Sequence, residues 1–491
     1  MSSFEGLAST LRRMSGHRRA IVDTPAGAPS PLQPIDLMDD ARVAEVLDLA
    51  VRVGEVTLAA GTGAIDTANQ VQFIASTYGL SRCDVSVTYN SIVVSAYRGP
   101  TLPPASTMRV VQYRSMDFTR LADVDALARK IRLEVPTPSD ALAELKELIR
   151  APHPYNRWIA TLAWAGMAAS VSVLLGGGLL VAVVSFLTTM VIDRVGRVLN
   201  RAGLPFFFQQ VVGGFIASAP AITLYSFQRE LNIEISPSLV IAAGVTVLLS
   251  GLSLVGSVQD AITGAPITAA ARFFELLMMT GGIIAGVATT LRLASLLGLD
   301  LPILSNIAPP ELTEVPTKVL AGAFTAMFYA LACYAERRGL TVAFFGGLVG
   351  ALVYLIAQQV GFGPVLSAAI AATLVGLAGG LMARRALIPP LIVAVAGITP
   401  LLPGLSVYRG LFALLNEQTL LGLSALLAAV GTGGALAAGA TLGEWGARTL
   451  RRPRIVERTE SLTRPIAKLG RGESVRSVIP LRRRRGVTRW K

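Results

Sequence analysis

Residues 243–254 read AGVTVLLSGLSL and residues 396–407 read AGITPLLPGLSV, with eight of the twelve positions identical. The two segments are 153 residues apart, and each lies inside a long apolar stretch. Gly251 in the first segment and the Pro403-Gly404 pair in the second weaken or break a helix at bilayer depth. The segments therefore predict two interrupted membrane helices that belong to an internal repeat.

The chain contains ten apolar stretches of about 20 residues, and two of them contain these segments. A helix of this length crosses a bilayer core of about 30 Å. The chain of 491 residues is 52% hydrophobic and only 15% charged, which is atypical of a soluble protein. A shift of 153 residues places the first five stretches on the last five. Because five crossings are an odd number, the second copy would be inverted, as in many secondary transporters. The predicted spans are 158–177, 179–199, 205–225, 237–258, 266–291, 317–335, 339–359, 363–383, 388–411 and 419–445.

The predicted fold is therefore a polytopic α-helical membrane protein whose ten transmembrane helices form an inverted 5+5 repeat, with an N-terminal cytoplasmic α/β domain. We divide the chain into a disordered leader, the soluble domain, a first five-helix repeat, a periplasmic connector, a second five-helix repeat and a basic cytoplasmic tail. These parts cover residues 1–35, 36–150, 151–300, 301–316, 317–445 and 446–491.

Helical periodicity and alternation predict the elements of the soluble domain. Helices are expected up to Ala60, over 64–78, over 121–133 and over 141–149, the last one capped by Ser139 or Asp140. Strands are expected over 84–89, 91–97 and 107–113. The Gly61-Thr62-Gly63 turn could bind an anion, but no Gly-Lys-Ser/Thr follows it, so we interpret it as a break between two helices.

Charge predicts the orientation. With the N-terminus in the cytoplasm, the inner connectors carry most of the arginines, as the positive-inside rule requires. Because ten is an even number of spans, both termini then lie in the cytoplasm, and the membrane is the plasma membrane. Of the net charge of +13, nearly all lies in residues 446–491, which hold 15 Lys and Arg against three acids. We expect this tail to bind anionic lipid headgroups rather than nucleic acid.

Cysteine and histidine exclude several chemistries. Cys83 and Cys333 are the only cysteines, and His17 and His153 are the only histidines, each far from the others in sequence. A disulfide framework, a zinc site and a Ser-His-Asp triad all need such residues in groups. We expect neither a metal nor a cofactor.

The repeated element also carries the chemistry of a binding site. A broken helix inside a membrane lines a cavity, where its half-helix N-termini attract an anion such as a carboxylate. Alternatively, the prolines only kink the helices and the hydroxyls bond back to their own helix. We predict that a small polar substrate is bound near the midplane by Thr246, Gly251, Ser253, Thr399, Pro403, Gly404 and Ser406.

Charged residues at membrane depth are the second functional signal. Asp260 follows the first repeated segment, and Arg272 and Glu275 lie three residues apart on one face of the fifth span. We predict that Arg272 binds a substrate carboxylate and that Asp260 or Glu275 carries a proton. The alternative is a local ion pair between Arg272 and Glu275.

Long motifs resemble the threonine/serine exporter family. They are AAGTGAIDTANQV (59–71), PFFFQQVVGGFIASAP (205–220), GLSLVGSVQDAITGAPITAAARFFE (251–275), IPPLIVAVAGITPLLPGLSVYRG (388–410) and LGEWGAR (442–448). The resemblance covers residues from about Pro31 to Arg452. It implies export of L-threonine and L-serine driven by the proton motive force, and it favours Asp260 over Glu275 as the proton carrier.

Two other classes of function stay open. One is a membrane-anchored enzyme with a hydrolase-like soluble domain, although no nucleophile elbow or nucleotide loop is present. The other is a passive channel. The sequence is compatible with a monomer or a homo-oligomer.

Overall fold

The computed structural model describes residues 35–112, 116–227, 237–249, 251–299, 314–386, 389–415 and 417–450. The predicted leader up to residue 34, most of the connector over 301–316 and the tail from residue 451 lie outside this part of the chain.

The described residues between 35 and 150, called the N-terminal region below, form four helices and one three-stranded sheet. The sheet is an antiparallel meander in the order β1-β2-β3, and Ser91 pairs with both Thr88 and Val110. The elements are α1 (Asp40–Ala59), α2 (Ala64–Thr77), β1 (Cys83–Thr88), β2 (Ser91–Ala96), β3 (Ala105–Val110), α3 (Phe118–Glu134) and α4 (Pro138–Arg150).

Local sequence explains most of these boundaries. Asp39 caps α1 by accepting hydrogen bonds from the amides of Ala41 and Arg42. The predicted cap of α4 is wrong: Thr137, not Ser139 or Asp140, accepts from the Asp140 amide. The reason is Pro138, whose fixed φ suits the first helical position, so the cap is the residue before it, two or three residues earlier than predicted. The third strand also begins and ends earlier than predicted, over Ala105–Val110.

The N-terminal region has a hydrophobic core of its own. Leu47 and Leu49 of α1 pack with Ile74, Ile92 and Leu145, all fully buried or nearly so. This core draws on helices and strands alike, which is the condition for a unit that folds around its own centre.

The rest of the described chain is helical. Eight helices are long and apolar enough to cross a membrane, and two bent pairs would raise the number of spans to ten. The helices are α5 (Arg157–Leu174), α6 (Leu179–Arg201), α7 (Phe206–Ser226), α8 (Pro237–Leu248), α9 (Gly251–Thr263), α10 (Pro266–Leu296), α11 (Val315–Ala332), α12 (Arg337–Gln359), α13 (Pro364–Ala386), α14 (Pro390–Ile398), α15 (Gly404–Leu415) and α16 (Thr419–Leu450).

Both bends fall at the repeated segment. The α8–α9 pair bends by 47°, and the α14–α15 pair, joined by a 3₁₀ turn over Thr399–Leu401, bends by 43°. Helix α9 begins at Gly251 and α15 begins at Gly404, which are equivalent positions of the repeat. A break is therefore present at each of the two predicted positions.

The start positions of the other helices also match between the two halves. Helices α5, α6 and α7 begin 158 residues before α11, α12 and α13, whereas α9 and α10 begin 153 residues before α15 and α16. The difference of five residues falls between the third and fourth spans of each half. The helix starts therefore recur in the same order at two nearly equal offsets; the described helices from Arg157 to Leu296 are called the first half below, and those from Val315 the second half.

Glycines let the membrane helices approach closely. A Cβ added at Gly282 of α10 would lie 2.7 Å from the Phe207 carbonyl oxygen of α7. A Cβ at Gly286, one turn later, would overlap the Val211 carbonyl oxygen. The backbones of α7 and α10 are thus too close for any side chain at these positions.

We expect Gly282→Ala to destabilise the protein, because its methyl group would meet backbone that cannot move aside. Overpacking of this kind costs about 1–3 kcal/mol. The measurement is the thermal unfolding midpoint of the purified protein in detergent. Gly281→Ala is the matched control, since a Cβ at Gly281 has no neighbour within 4 Å. Equal midpoints for the two variants would contradict the packing argument.

Candidate functional site

A tight connection between α9 and α10 sets up the charged site. Gly264 ends α9 in the left-handed conformation with φ +103, and Pro266 opens α10. The Ala265 amide donates to the Asp260 carbonyl oxygen at 2.7 Å, which closes the last turn of α9. The chain thereby reverses within two residues, and the end of α9 packs on the start of α10.

Across this reversal, Asp260 and Arg272 form a buried ion pair. Arg272 Nη1 lies 2.6 Å from Asp260 Oδ2, and the two residues are 6% and 0% exposed. Gly256, on the same helix as Asp260, lies against the guanidinium: a Cβ there would be in ordinary contact with Arg272 Nη1, at 3.6 Å. Glu275 lies half-buried on α10, one turn beyond Arg272. Charges this deeply buried persist only when they are paired, so the two residues act as one unit.

The N-terminal region closes this pair. Between α1 and α2 the chain turns at residues 61–64, called the 61–64 turn below. The Ala64 amide at the start of α2 donates to Asp260 Oδ1 at 2.9 Å, and Arg272 Nη2 donates to the Thr62 carbonyl oxygen at 3.4 Å. Gly63 occupies the N-cap of α2 without a capping side chain, so Asp260 caps α2 from a distant part of the chain.

The interpretation of this turn as a helix break was correct but incomplete. The sequence carries one sign of the missing contact: Gly63 at the start of α2 has no side chain that could cap the helix. An uncapped helix N-terminus needs a hydrogen-bond acceptor from elsewhere. The acceptor lies 196 residues away in sequence, so no local pattern identifies it.

A second contact of the N-terminal region involves its β-hairpin. The Tyr89 amide donates to Thr268 Oγ1 at 3.0 Å, and Thr268 Oγ1 lies 3.3 Å from the Val87 carbonyl oxygen, to which it donates. Thr268 lies in the first turn of α10 and is buried. The hairpin therefore docks beside the charged pair on the same helix.

A third contact reaches the other half of the helical part. The Phe118 amide donates to the Cys333 carbonyl oxygen at 2.9 Å, and Thr119 Oγ1 donates to the Tyr334 carbonyl oxygen. Tyr334 adopts φ +62 in the reversal between α11 and α12, and the His153 ring stacks on it at 4.4 Å. The N-terminal region thus contacts both halves, once at the α9–α10 reversal and once at the α11–α12 reversal.

Titratable groups collect at this third contact. Buried Asp117 lies 3.2 Å from His153 Nδ1 and 3.3 Å from Arg120 Nε. Burial raises the pKa of Asp123 above its ordinary value of 3.8, and the nearby carboxylates of Glu336 and Asp117 raise it further. The sequence offered no signal for the His153 site, because its partners come from separate segments.

The repeated segments contact each other at the two bends. A Cβ added at Gly404, the first residue of α15, would lie 2.8 Å from Thr246 Cβ on α8. The hydroxyl groups of Thr246 and Thr399 donate to carbonyl oxygens one turn earlier in their own helices, at 2.7 and 2.8 Å. These are the back-bonds that the alternative predicts, and they leave the hydroxyl oxygens as acceptors only. Ser253, Pro403 and Ser406 are half-buried at the same bends, beside Gly251.

The structure separates the predicted site residues into two groups. Asp260 lies nine residues beyond Gly251 on α9, which is about 14 Å along a helix axis. A single amino acid is too short to contact both the charged pair and the bends at once.

Sequence reasoning missed several polar groups around α8, the half-helix that ends at the first bend. They are buried atoms without a hydrogen-bond partner among the described residues. Their helices α6, α7 and α15 all pack on α8. The atoms are Oγ of Ser185, Oγ1 of Thr189, Oε1 of Gln210, and Nε and Nη2 of Arg409.

No group of three or more His, Cys, Asp or Glu side chains that could hold a metal ion occurs within the described ranges. Cys83 and Cys333 are both buried and unbridged.

Comparison with known proteins identifies the family. The family model ThrE, of threonine/serine exporters, matches residues 48–294, and a second one, Threonine/Serine exporter, ThrE, matches residues 318–445. A protein named "Threonine/serine exporter" from Corynebacterium glutamicum is 47% identical over 87% of this chain and 88% of its own length. The chain belongs to the threonine/serine exporter family. Its members are transporters, not enzymes, which confirms the prediction of an exporter over that of a membrane-anchored enzyme.

A second relative supports the assignment. A protein named "Probable threonine/serine exporter" from Mycobacterium tuberculosis is 38% identical over 84% of this chain and 78% of its own length. No solved structure matches the chain.

We expect Arg272→Ala to lower stability strongly, because Asp260 would be left buried without its counter-ion. Breaking a buried pair on one side costs about 3–5 kcal/mol. The double substitution with Asp260→Ala removes both charges and should recover a large part of that loss. Thermal unfolding in detergent measures both. A double variant as unstable as the sum of the two single ones would contradict the pairing.

We expect Asp123→Asn to stabilise the protein at neutral pH. The folded state raises the pKa of Asp123, so stability falls as the pH rises from about 3.8 through the raised value. Above that value the ionised carboxylate opposes folding, and the amide removes this cost. Unfolding midpoints measured between pH 4 and 8 should therefore fall less with pH in the variant. Glu336→Gln should give a smaller gain when combined with Asp123→Asn than alone; simple additivity would contradict the coupling.

Proposed function

We propose that the protein is a secondary active exporter of L-threonine and L-serine that is driven by the proton motive force. The observation that carries this is the buried Asp260–Arg272 pair at the junction of two membrane helices and the N-terminal region. Ionisable residues at membrane depth mark transport pathways and proton relays. The names of both relatives support the substrates.

The proposed architecture is ten spans in an inverted 5+5 repeat. Helix starts that recur at offsets of 158 and 153 residues support two five-span halves. The two family models also end and begin between the halves, at residues 294 and 318. In this architecture the α9–α10 and α11–α12 reversals lie on one side of the membrane, and the N-terminal region contacts both of them.

That side is the cytoplasm in our proposal. Arg337 and Arg338 directly follow the contacted reversal at Tyr334, and the positive-inside rule assigns such arginines to the cytoplasm. The N-terminal region, both termini and the basic tail on anionic lipids are then cytoplasmic, and the connector between the halves faces the periplasm. The membrane is the plasma membrane.

An α-amino acid fits the charged pair because it carries both charges. Its carboxylate would bind the Arg272 guanidinium, and its ammonium group would bind the Asp260 carboxylate. The ion pair would thereby be exchanged for two new ion pairs, so neither buried charge is left without a partner. We call this pair the cytoplasmic station, which means the substrate-binding site on the cytoplasmic side of the pathway.

The bends form a second station near the midplane. Thr246, Ser253, Thr399 and Ser406 offer hydroxyl oxygens there, and the N-terminus of α15 begins at Gly404. The substrate hydroxyl would donate to one of these oxygens, which distinguishes threonine and serine from analogues without a hydroxyl. Arg409 on α15 is a cation for the substrate carboxylate at this station.

Asp260 is also our proposed proton carrier, with Glu275 as the other candidate. Protonation of Asp260 would neutralise one side of the pair and weaken its hold on Arg272. Proton binding and substrate binding at the same carboxylate exclude each other, which is the requirement for exchange of one for the other.

Uptake of labelled threonine into inverted membrane vesicles tests the proposal. Uptake should need an imposed proton gradient, and Arg272→Ala and Asp260→Asn should abolish it while the protein still reaches the membrane. Arg292→Ala, an exposed arginine at the other end of α10, is the matched control and should retain uptake. Normal uptake in both site variants would refute the site, and gradient-independent uptake would favour a passive channel.

A further inference from the structure

The 61–64 turn offers the charged pair the same two groups that an amino acid offers. Its Ala64 amide donates a hydrogen bond to Asp260, as an ammonium group would. Its Thr62 carbonyl oxygen accepts one from Arg272, as a carboxylate would. The two groups flank Gly63, so one short turn presents both a donor and an acceptor to the pair.

We infer that the 61–64 turn is a built-in substitute for the substrate, and that cytoplasmic amino acid and the turn compete for the Asp260–Arg272 pair. This inference rests on the proposed function. With the turn in place, Asp260 is fully buried and the pair is closed toward the N-terminal region. At low substrate concentration the turn thereby holds the carboxylate ionised and paired, and it limits a leak of protons.

The turn binds the Asp260–Arg272 pair more weakly than an amino acid would. The turn carries a neutral amide and a neutral carbonyl, whereas the amino acid carries full charges on both groups. Two full charges attract each other by Coulomb's law, an attraction that a hydrogen bond with one neutral partner largely lacks. A zwitterion can therefore displace the turn, and a ligand with only one of the two charges is a poor competitor.

The fit of the turn depends on two glycines. A Cβ at Gly63 would lie 3.2 Å from Asp260 Oδ1, so a larger side chain would push the turn away from the carboxylate. Gly61 adopts φ +94, a conformation that other residues rarely adopt. The hairpin contact at Thr268 and the contact at Cys333 hold the N-terminal region in place, so release of the turn needs only local movement.

Cysteine labelling tests the competition on the full-length protein in inverted vesicles. Thr62→Cys places a half-buried thiol on the turn, while the natural Cys83 and Cys333 are buried. Labelling by a membrane-impermeant maleimide should rise several-fold when threonine is added, and acetate or ethylamine at equal concentration should have little effect. Adding Asp260→Ala should raise labelling without any ligand. Ser139→Cys, exposed at the start of α4, is the control and should not respond.

A second pair of variants tests the inference without the cysteine label at position 62. Gly63→Val should open the turn, lower the threonine concentration for half-maximal uptake and increase proton leak without substrate. Gly178→Val is the matched control, because Gly178 is also an uncapped N-cap glycine in extended conformation and a Cβ there meets nothing within 4 Å. Equal half-saturation and leak in the two variants would overturn the inference.

The outcomes separate this inference from the proposed function. If vesicles with the wild-type protein take up threonine but threonine leaves the labelling of Thr62→Cys unchanged, the turn is no competitor and the inference alone fails. If the wild-type protein takes up no threonine, the proposed function fails and the competition fails with it. Increased labelling with Asp260→Ala then still supports the contact itself.

Discussion

The rest of the structure depends on the need to pair two charges away from water. Asp260 and Arg272 are almost fully buried and 2.6 Å apart. A single buried charge would cost several kcal/mol, so the α9–α10 reversal has to bring the two residues together. Their remaining polar atoms also need partners, and the 61–64 turn supplies an amide and a carbonyl. The ion pair therefore determines where the 61–64 turn lies.

The N-terminal region in turn connects the two halves of the helical part. It contacts the α9–α10 reversal through Ala64 and Tyr89, and the α11–α12 reversal through Phe118. A relative movement of the halves would have to break one of these contacts or carry the region along. The third contact buries Asp117 and raises the pKa of Asp123, so its strength varies with the protonation of acids.

Local patterns predicted what local forces determine. Periodicity predicts α1 and α2 to within a residue or two, the first two predicted strands are present, and both bends fall at the repeated segment. The predicted cap of α4 lies two or three residues too late, because Pro138 occupies the first helical position and Thr137 precedes it. Long-range pairs were beyond reach: Ala64 and Asp260 are 196 residues apart, and a contact between segments leaves no periodic pattern in either one.

The same physical constraint links the proposed steps of transport. A buried guanidinium without a counter-ion is costly, and so is a buried carboxylate without a donor. The turn, the amino acid and, for Asp260, a proton can each satisfy this need, but only one of them can do so at a given atom. Whenever one partner leaves, another has to arrive. In this proposal the substrate and the proton compete for the same buried carboxylate. Transport of one is then coupled to transport of the other without a conformational signal between two separate binding sites.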